Sequence, residues 1–208
     1  ISYAEGKLTS DVTTATYLIN MEDNGLPVVF LTTDSDKLFN GGIYNNDLSD
    51  ERKVDANIEL VETDGTGFNE DVLINKSGNM SALEVQKSFG VYFKEYVGDK
   101  ELDYNLFPDE MDGVTTYYSF LLRTSGNDWD DLKCKDGMLQ TLAATQMDLD
   151  YMSYRPAVLY INGQYWGIYN IRDKLNADYI TTHHPGANGD NCDIISFAYG
   201  VEQGDYAE

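Results

Sequence analysis

The stretch DWDDLKCKDGMLQTLAATQM, Asp128–Met147, decides the fold class. Leu132, Met138, Leu139, Leu142 and Ala143 recur at helical spacing. Asp128, Asp130 and Asp131 stand in its first turn, where the helix dipole favours negative charge. Gly137 costs this helix about 1 kcal/mol relative to Ala. The periodicity predicts one long helix over the whole stretch.

On either side of it the chain reads as strands. Downstream, Ala157–Asn162 (AVLYIN) and Tyr165–Asn170 (YWGIYN) flank Gly163, and Asn162-Gly163 is a strong hairpin signal. Arg172–Thr182 then reads as a helix, and Pro185–Glu208 as loop with a short strand at Asp193–Phe197. Upstream, Thr14–Asn20 (TATYLIN) alternates like a strand. Pro27–Thr32 (PVVFLT) reads as a buried strand, and Asp34–Phe39 as one helical turn capped by Asp34. Val54–Thr63 carries Val54, Ala56, Ile58 and Leu60 on one face and turns at Asp64-Gly65, with Asp71–Asn75 as the returning arm. Lys76–Gln86 is a polar loop, and Lys87–Lys94 alternates again. Strands, helix, hairpin, helix is an α+β order, so the expectation is an antiparallel sheet with the long helix packed on one face.

Composition narrows the function classes. The chain has 208 residues, 14 Lys plus Arg against 36 Asp plus Glu, and a net charge of −22. Nucleic-acid binding needs a basic footprint that this balance denies, and anionic membrane surfaces would repel the chain. No apolar run reaches the length of a membrane span, so membrane insertion is not expected. With 42% hydrophobic and 12% aromatic residues there is apolar mass for a core. Cys134 and Cys192 make no disulfide scaffold and no zinc pair; they are either one bridge or two free thiols. Acidity with abundant Asn, Asp and Tyr suits a secreted or cell-surface protein.

The familiar catalytic signatures are absent: no GxSxG, Walker A, HExxH or GxGxxG. His183-His184 reads as a solvated helix end or, less readily, as metal ligands, because adjacent helical histidines diverge. Asn188–Asp193 (NGDNCD) admits calcium or a solvated Asx-rich turn, and lacks full EF-hand spacing. One constellation carries more chemistry. The loop Ser77-Gly78-Asn79-Met80-Ser81 precedes Lys87, which shares strand parity with Phe89. Backbone N–H groups of such a loop can approach phosphate oxygens, and a Lys on the following strand can hold them. A Lys on an apolar face needs an anionic partner, and Asp136 on the predicted helix is a candidate. The bland alternative is a hairpin loop with a Lys whose stem snorkels to solvent.

These residues resemble the spore coat protein H (CotH) family of kinase-like proteins. The resemblance runs through Leu26–Phe39 (LPVVFLTTDSDKLF) with Gly42–Tyr44, then Ser77–Ser81 with Gln86-Lys87-Ser88-Phe89, then Leu122–Trp129 (LRTSGNDW). It is most specific over Tyr154–Ile180, and Ser10–Tyr17 is similar to the lead-in of large secreted bacterial members. The resemblance implies the small lobe of a protein-kinase-like fold, ATP with Mg or Mn as cofactor, and a protein substrate. By the same resemblance Lys87 is the phosphate-holding lysine, Ser77, Gly78, Asn79 and Ser81 form the loop over the phosphates, and Asp173 is the hinge acid. Two departures stand out: Ala82, Leu83 and Glu84 occupy positions where the family carries basic residues, and Asp173 replaces the usual Glu.

The resemblance divides the chain into a lead-in (1–25), a kinase-like amino-terminal lobe with its hinge (26–182) and a loop-rich tail (183–208). The family's metal-holding Asp motifs are not found before Glu208, so the expectation is the nucleotide-side lobe of a longer secreted kinase, inactive alone. The alternative is a non-catalytic cell-surface or carbohydrate-associated module, with 16 Tyr as its aromatic supply.

Overall fold

In the computed structural model, residues 14–17, 19, 24–109, 113–196 and 200–204 are described. In chain order the elements are β1 (Val28–Thr33), α1 (Ser35–Leu38), β2 (Val54–Val61), β3 (Gly67–Ser77), β4 (Ser88–Tyr92), β5 (Leu102–Asp103), β6 (Thr116–Tyr117), β7 (Ser119–Arg123), α2 (Lys135–Ala144), β8 (Tyr154–Ile161), β9 (Gln164–Arg172), α3 (Ala177–His183), β10 (Ile194–Ser196) and β11 (Gly200–Gln203).

Seven of these strands close into a barrel in the order β1, β2, β3, β4, β7, β9, β8. β1 is the seam. Its run of Val, Phe and Leu is buried on both faces, which suits a strand paired on both sides. It pairs antiparallel with β2 and parallel with β8, where Val28 lies opposite Val158 and Leu31 opposite Ile161. The other barrel pairings are antiparallel. Closure leaves no open edge in this sheet.

Strand alternation then sorts the side chains. Leu31, Ile58, Ile74, Phe89, Val91, Phe120, Leu122, Leu159, Tyr169 and Ile171 fill one core. Each such aliphatic or Phe side chain contributes about 1.5–3 kcal/mol when fully buried. Leu102, Leu106, Phe107 and Tyr117, from the β4–β7 connection, join that core at one end of the barrel. Leu38 and Ile43, which follow β1, join it at the other. Asn162 (φ 51°) and Gly163 (φ 78°) turn β8 into β9, as the hairpin signal predicts. Asp34 caps α1 by accepting from the Asp36 amide at 2.8 Å.

The α+β expectation, a long helix packed on one face of an antiparallel sheet in the manner of a kinase small lobe, is overturned. The protein is mostly β, and α2 spans ten residues rather than twenty. Its predicted first turns are broken by local polar competition. Asp128 accepts from the amides of Leu132 and Lys135, and Lys133 sits at φ 59°. Nor does the apolar stripe face the barrel: Gly137 is the buried residue of α2, while Leu132, Met138, Leu139 and Leu142 are exposed.

Smaller corrections follow the same logic. β3 runs on to Ser77, so Lys76 belongs to a strand and not to a loop. β9 runs on to Arg172, and α3 begins only at Ala177. Thr14–Tyr17 is not a strand; it meets β2 and β3 through side chains, with the Thr16 amide on Glu59 and the Asn69 amide on the Thr14 carbonyl. The rest of that predicted strand, Ile19 excepted, and Phe197 lie outside the described residues. Among the described residues no helix is long and apolar enough to cross a membrane.

Candidate functional site

The barrel mouth formed by the end of β3 and the start of β4 gathers the loop residues and Lys87. Ser77 closes β3 opposite Ser88, the first residue of β4. Between them the chain makes a 3₁₀ turn, Met80–Leu83, entered through Gly78 and Asn79. Gly78 has φ +104°, a conformation that L side chains rarely adopt, so the backbone selects glycine there.

Lys87 is 3% exposed. Its Nζ donates to the carbonyls of Ala82 (2.7 Å) and Glu84 (3.1 Å) and to Asn46 Oδ1 (2.8 Å). A second lysine shares the mouth. Lys76 continues the inward parity of Val72 and Ile74, and its Nζ donates to the carbonyls of Asp47 (2.6 Å) and Asn45 (3.0 Å) and to Asn45 Oδ1 (3.0 Å). Period-two alternation beyond Ile74 is the signal that finds it. Burial, then repulsion from Lys76, pull the Lys87 ammonium below its ordinary range against a smaller opposing pull from Glu84. Among the described residues neither lysine forms a salt bridge; both are held by neutral oxygens.

An aromatic group supports this arrangement. Tyr44 OH donates to the Val85 carbonyl at 2.6 Å and accepts from the Lys87 amide and from Trp166 Nε1, each at 3.3 Å. Phe39, Tyr44 and Trp166 pack with ring centroids 5.4–5.7 Å apart. Lys87 Nζ lies 5.3 Å from the Tyr44 ring centroid. Tyr169 OH donates to the Lys87 carbonyl at 3.0 Å, which sets the start of β4 against β9. Gln86 Nε2 donates to the Trp166 carbonyl at 2.6 Å, and a Cβ on Gly167 would strike that amide at 2.4 Å.

The two predicted acids stand elsewhere. Asp136 is on the opposite side of the barrel wall from Lys87. Its partners Arg123 and Arg172 alternate with the inward Leu122 and Ile171, so they leave the outer face; Arg172 Nη1 donates to Asp136 Oδ2 at 2.6 Å and Arg123 Nε lies 3.6 Å from it. Asp173 follows the end of β9, four residues beyond Tyr169 and roughly 13 Å away by strand rise. It is buried, accepts from the Ser153 amide at 3.0 Å and faces His183 Nε2 at 3.8 Å. His183 stacks on Tyr179 at 3.8 Å, and His184 bonds Asp150 at 2.8 Å, so both histidines lie against carboxylates.

Within Asn188–Asp193 the chain makes a short 3₁₀ turn, Gly189–Asn191, whose Asp190 amide is capped by Asn188. Among the described residues no three His, Cys, Asp or Glu side chains gather as metal ligands. Cys134 and Cys192 are free thiols.

No curated protein matches the chain. A family model described as CotH kinase protein matches residues 74–204. The matched span opens on the inward end of β3, takes in Lys76, the Gly78 loop and Lys87, and runs through the β8–β9 hairpin to β11. Since it covers more than half of the sequence, the chain belongs to the CotH kinase protein family.

Proposed function

We propose that this chain holds the phosphates of ATP, as the nucleotide-side part of ATP-dependent protein phosphorylation at the cell surface or outside the cell. One observation carries the reading. Two buried lysines point into one barrel mouth beside a glycine-entered loop, and neither forms a salt bridge with a described carboxylate. Carbonyl and amide oxygens orient an ammonium without cancelling its charge. A polyphosphate would cancel both charges and relieve their mutual repulsion. In a chain of net charge −22 this is a local positive focus.

The residues fit phosphate as a group. Lys87 and Lys76 supply charge, and the Gly78 loop supplies backbone without a Cβ in the way. To contact phosphate, Lys87 must exchange at least one of its bonds to Ala82, Glu84 or Asn46, so nucleotide binding and loop movement go together. When bound with Mg or Mn, ATP would supply the transferable phosphoryl group; the role assigned to these side chains is to hold and orient it.

Calorimetry with Mg-ATP tests this, comparing the unsubstituted parent chain with Lys87→Met at matched β-sheet content and melting temperature. Saturable binding that weakens at least tenfold in the variant is expected. Absence of saturable ATP binding by the parent overturns the reading. Should Lys87→Met not fold, the shift of the Lys87 side-chain NMR resonance on adding Mg-ATP to the unsubstituted chain replaces it; an unmoved resonance is then the overturning result.

A second reading, a carbohydrate-associated module, is favoured by Tyr165. It is 62% exposed at the hairpin tip and packs edge-on against Tyr160 at 5.7 Å, which in turn meets Phe30 at 5.4 Å. Polysaccharide binding lost in Tyr165→Ala, with no ATP binding, would select it.

A further inference from the structure

Helix α2 turns its large apolar side chains outward. Its barrel-facing side carries Gly137 against the Tyr154 ring, Asp136 bonded to Arg172, and Gln140, whose Oε1 accepts from the Met152 amide. Its solvent side carries Met138, Leu139 and Leu142, exposed 58%, 55% and 54%. Leu142 is four residues from Met138 and three from Leu139, so these three side chains share one helix face, with exposed Lys135 one turn before them. Leu132 before the helix and Met147 and Leu149 after it are exposed as well. Apolar exposure gathered on one element, instead of scattered singly, marks an interaction surface.

The charge around this face selects the occupant. Asp130 and Asp131 at one end and Asp148 and Asp150 at the other are exposed. The two lysines of the stretch offset these four acids only in part. Lys133 Nζ turns inward to Gln86 Oε1 at 2.7 Å, and Lys135 lies 3.8 Å from Asp128. An apolar centre with methionine at its edge, between acidic ends, suits a helix that is apolar on one side and basic on the other. A second copy would bring the same acids together with another −22 charge.

We propose that the outer face of α2 docks a basic amphipathic helical segment of a partner protein. The surface lies on the outer wall of the barrel and does not depend on nucleotide binding at the Lys87 mouth.

The test uses the whole chain and a synthetic Leu/Lys peptide of about 14 residues, long enough to hold a helix on binding, with leucines at i, i+3, i+4 and i+7. Two control peptides carry the same residues scrambled, or Glu in place of Lys. Titration calorimetry is expected to give saturable binding of the Leu/Lys helix and at least tenfold weaker binding of both controls. The doubly substituted Leu139→Ser, Leu142→Ser chain should bind at least tenfold more weakly at an unchanged melting temperature, since both side chains are exposed. No binding of the Leu/Lys helix overturns the proposal. So does equal binding of the scrambled peptide or undiminished binding by the Ser variant, either of which reports general attraction to an acidic protein. Sedimentation showing self-association that the Ser substitutions abolish assigns the face to a second copy instead, and also overturns it.

Discussion

Arg172 donates to Asp136 across 2.6 Å and thereby ties α2 to the outer wall of the barrel. The guanidinium is 1% exposed, and it also donates to the carbonyls of Ser153 and Met152. Burial pulls it below its ordinary range while Asp136 pushes it up; a guanidinium stays charged under either influence. Burial alone would raise the Asp136 carboxyl, but Arg123, Arg172 and Gln140 outweigh it and hold the group below the usual carboxylate range.

A depressed carboxyl contributes stability that is present above its unfolded value, about 3.9, and is lost as pH falls through the folded one. Asp136→Asn is therefore expected to reduce unfolding free energy at neutral pH and to flatten the acid side of the stability curve below about pH 4. The cost at neutral pH is about 2 kcal/mol, less than the roughly 3–5 kcal/mol of a fully buried broken pair, because Asp136 keeps partial contact with solvent. Urea unfolding between pH 2 and 7 reads both effects, and an unchanged acid limb would show that the pair does not govern it.

Gly137 offers a contrast between local preference and packing. Alanine favours a helix interior over glycine by about 1 kcal/mol. Here the new Cβ would stand 2.2 Å from Tyr154 Cδ2. Overpacking of that kind costs roughly 1–3 kcal/mol, so Gly137→Ala is expected to lower stability, by about 1 kcal/mol net. A gain in denaturation midpoint would mean that the Tyr154 ring swings aside freely.

These two residues also show where sequence reading stops. Much of the barrel was legible: β1 follows from a short continuous apolar run, and β2, the β8–β9 hairpin and the Lys87 strand from period two and turn residues. Closure was not, because the parallel pairing of Val28 with Val158 joins segments far apart in sequence and leaves no local pattern. The helix over Asp128–Met147 was half legible. Its apolar spacing is real, but spacing cannot say whether a stripe faces protein or solvent, and the side that packs is made of Gly137 and bonded polar groups. At the mouth, Lys87 and the Gly78 loop carried a readable signal. Asn45, Asn46 and Tyr44 did not, since nothing in sequence brings the segment after β1 across the barrel end.

The far mouth gives an alkaline signature. Tyr104 OH donates to Glu62 Oε1 at 2.7 Å, and Glu62 is also paired with Arg155. Burial, then the Glu62 carboxylate, push the Tyr104 phenol up to about 12. A raised folded value means that this contribution is complete below the unfolded value near 10 and is lost as pH rises through about 12. Tyr104→Phe should accordingly flatten the fall of melting temperature between pH 10 and 12. A parallel fall in both proteins would assign that limb to other groups.

Lys76 and Lys87 are coupled through charge, and a double-mutant cycle can read the coupling without any ligand. Each ammonium satisfies three oxygens. Removing either one leaves buried acceptors unfilled, at about 2–3 kcal/mol, but also frees the other from repulsion. Each single substitution therefore understates the bonds lost, and the repulsion is counted twice in the sum of the singles but once in the double. Lys76→Met with Lys87→Met is expected to cost more than the sum of the singles, by about 1 kcal/mol. Chemical denaturation at neutral pH and low salt measures it, and added salt should shrink the excess only slightly because the mouth is shielded from solvent. An additive cycle would mean that the two charges do not feel each other, and the positive focus assigned to this mouth would lose its physical basis.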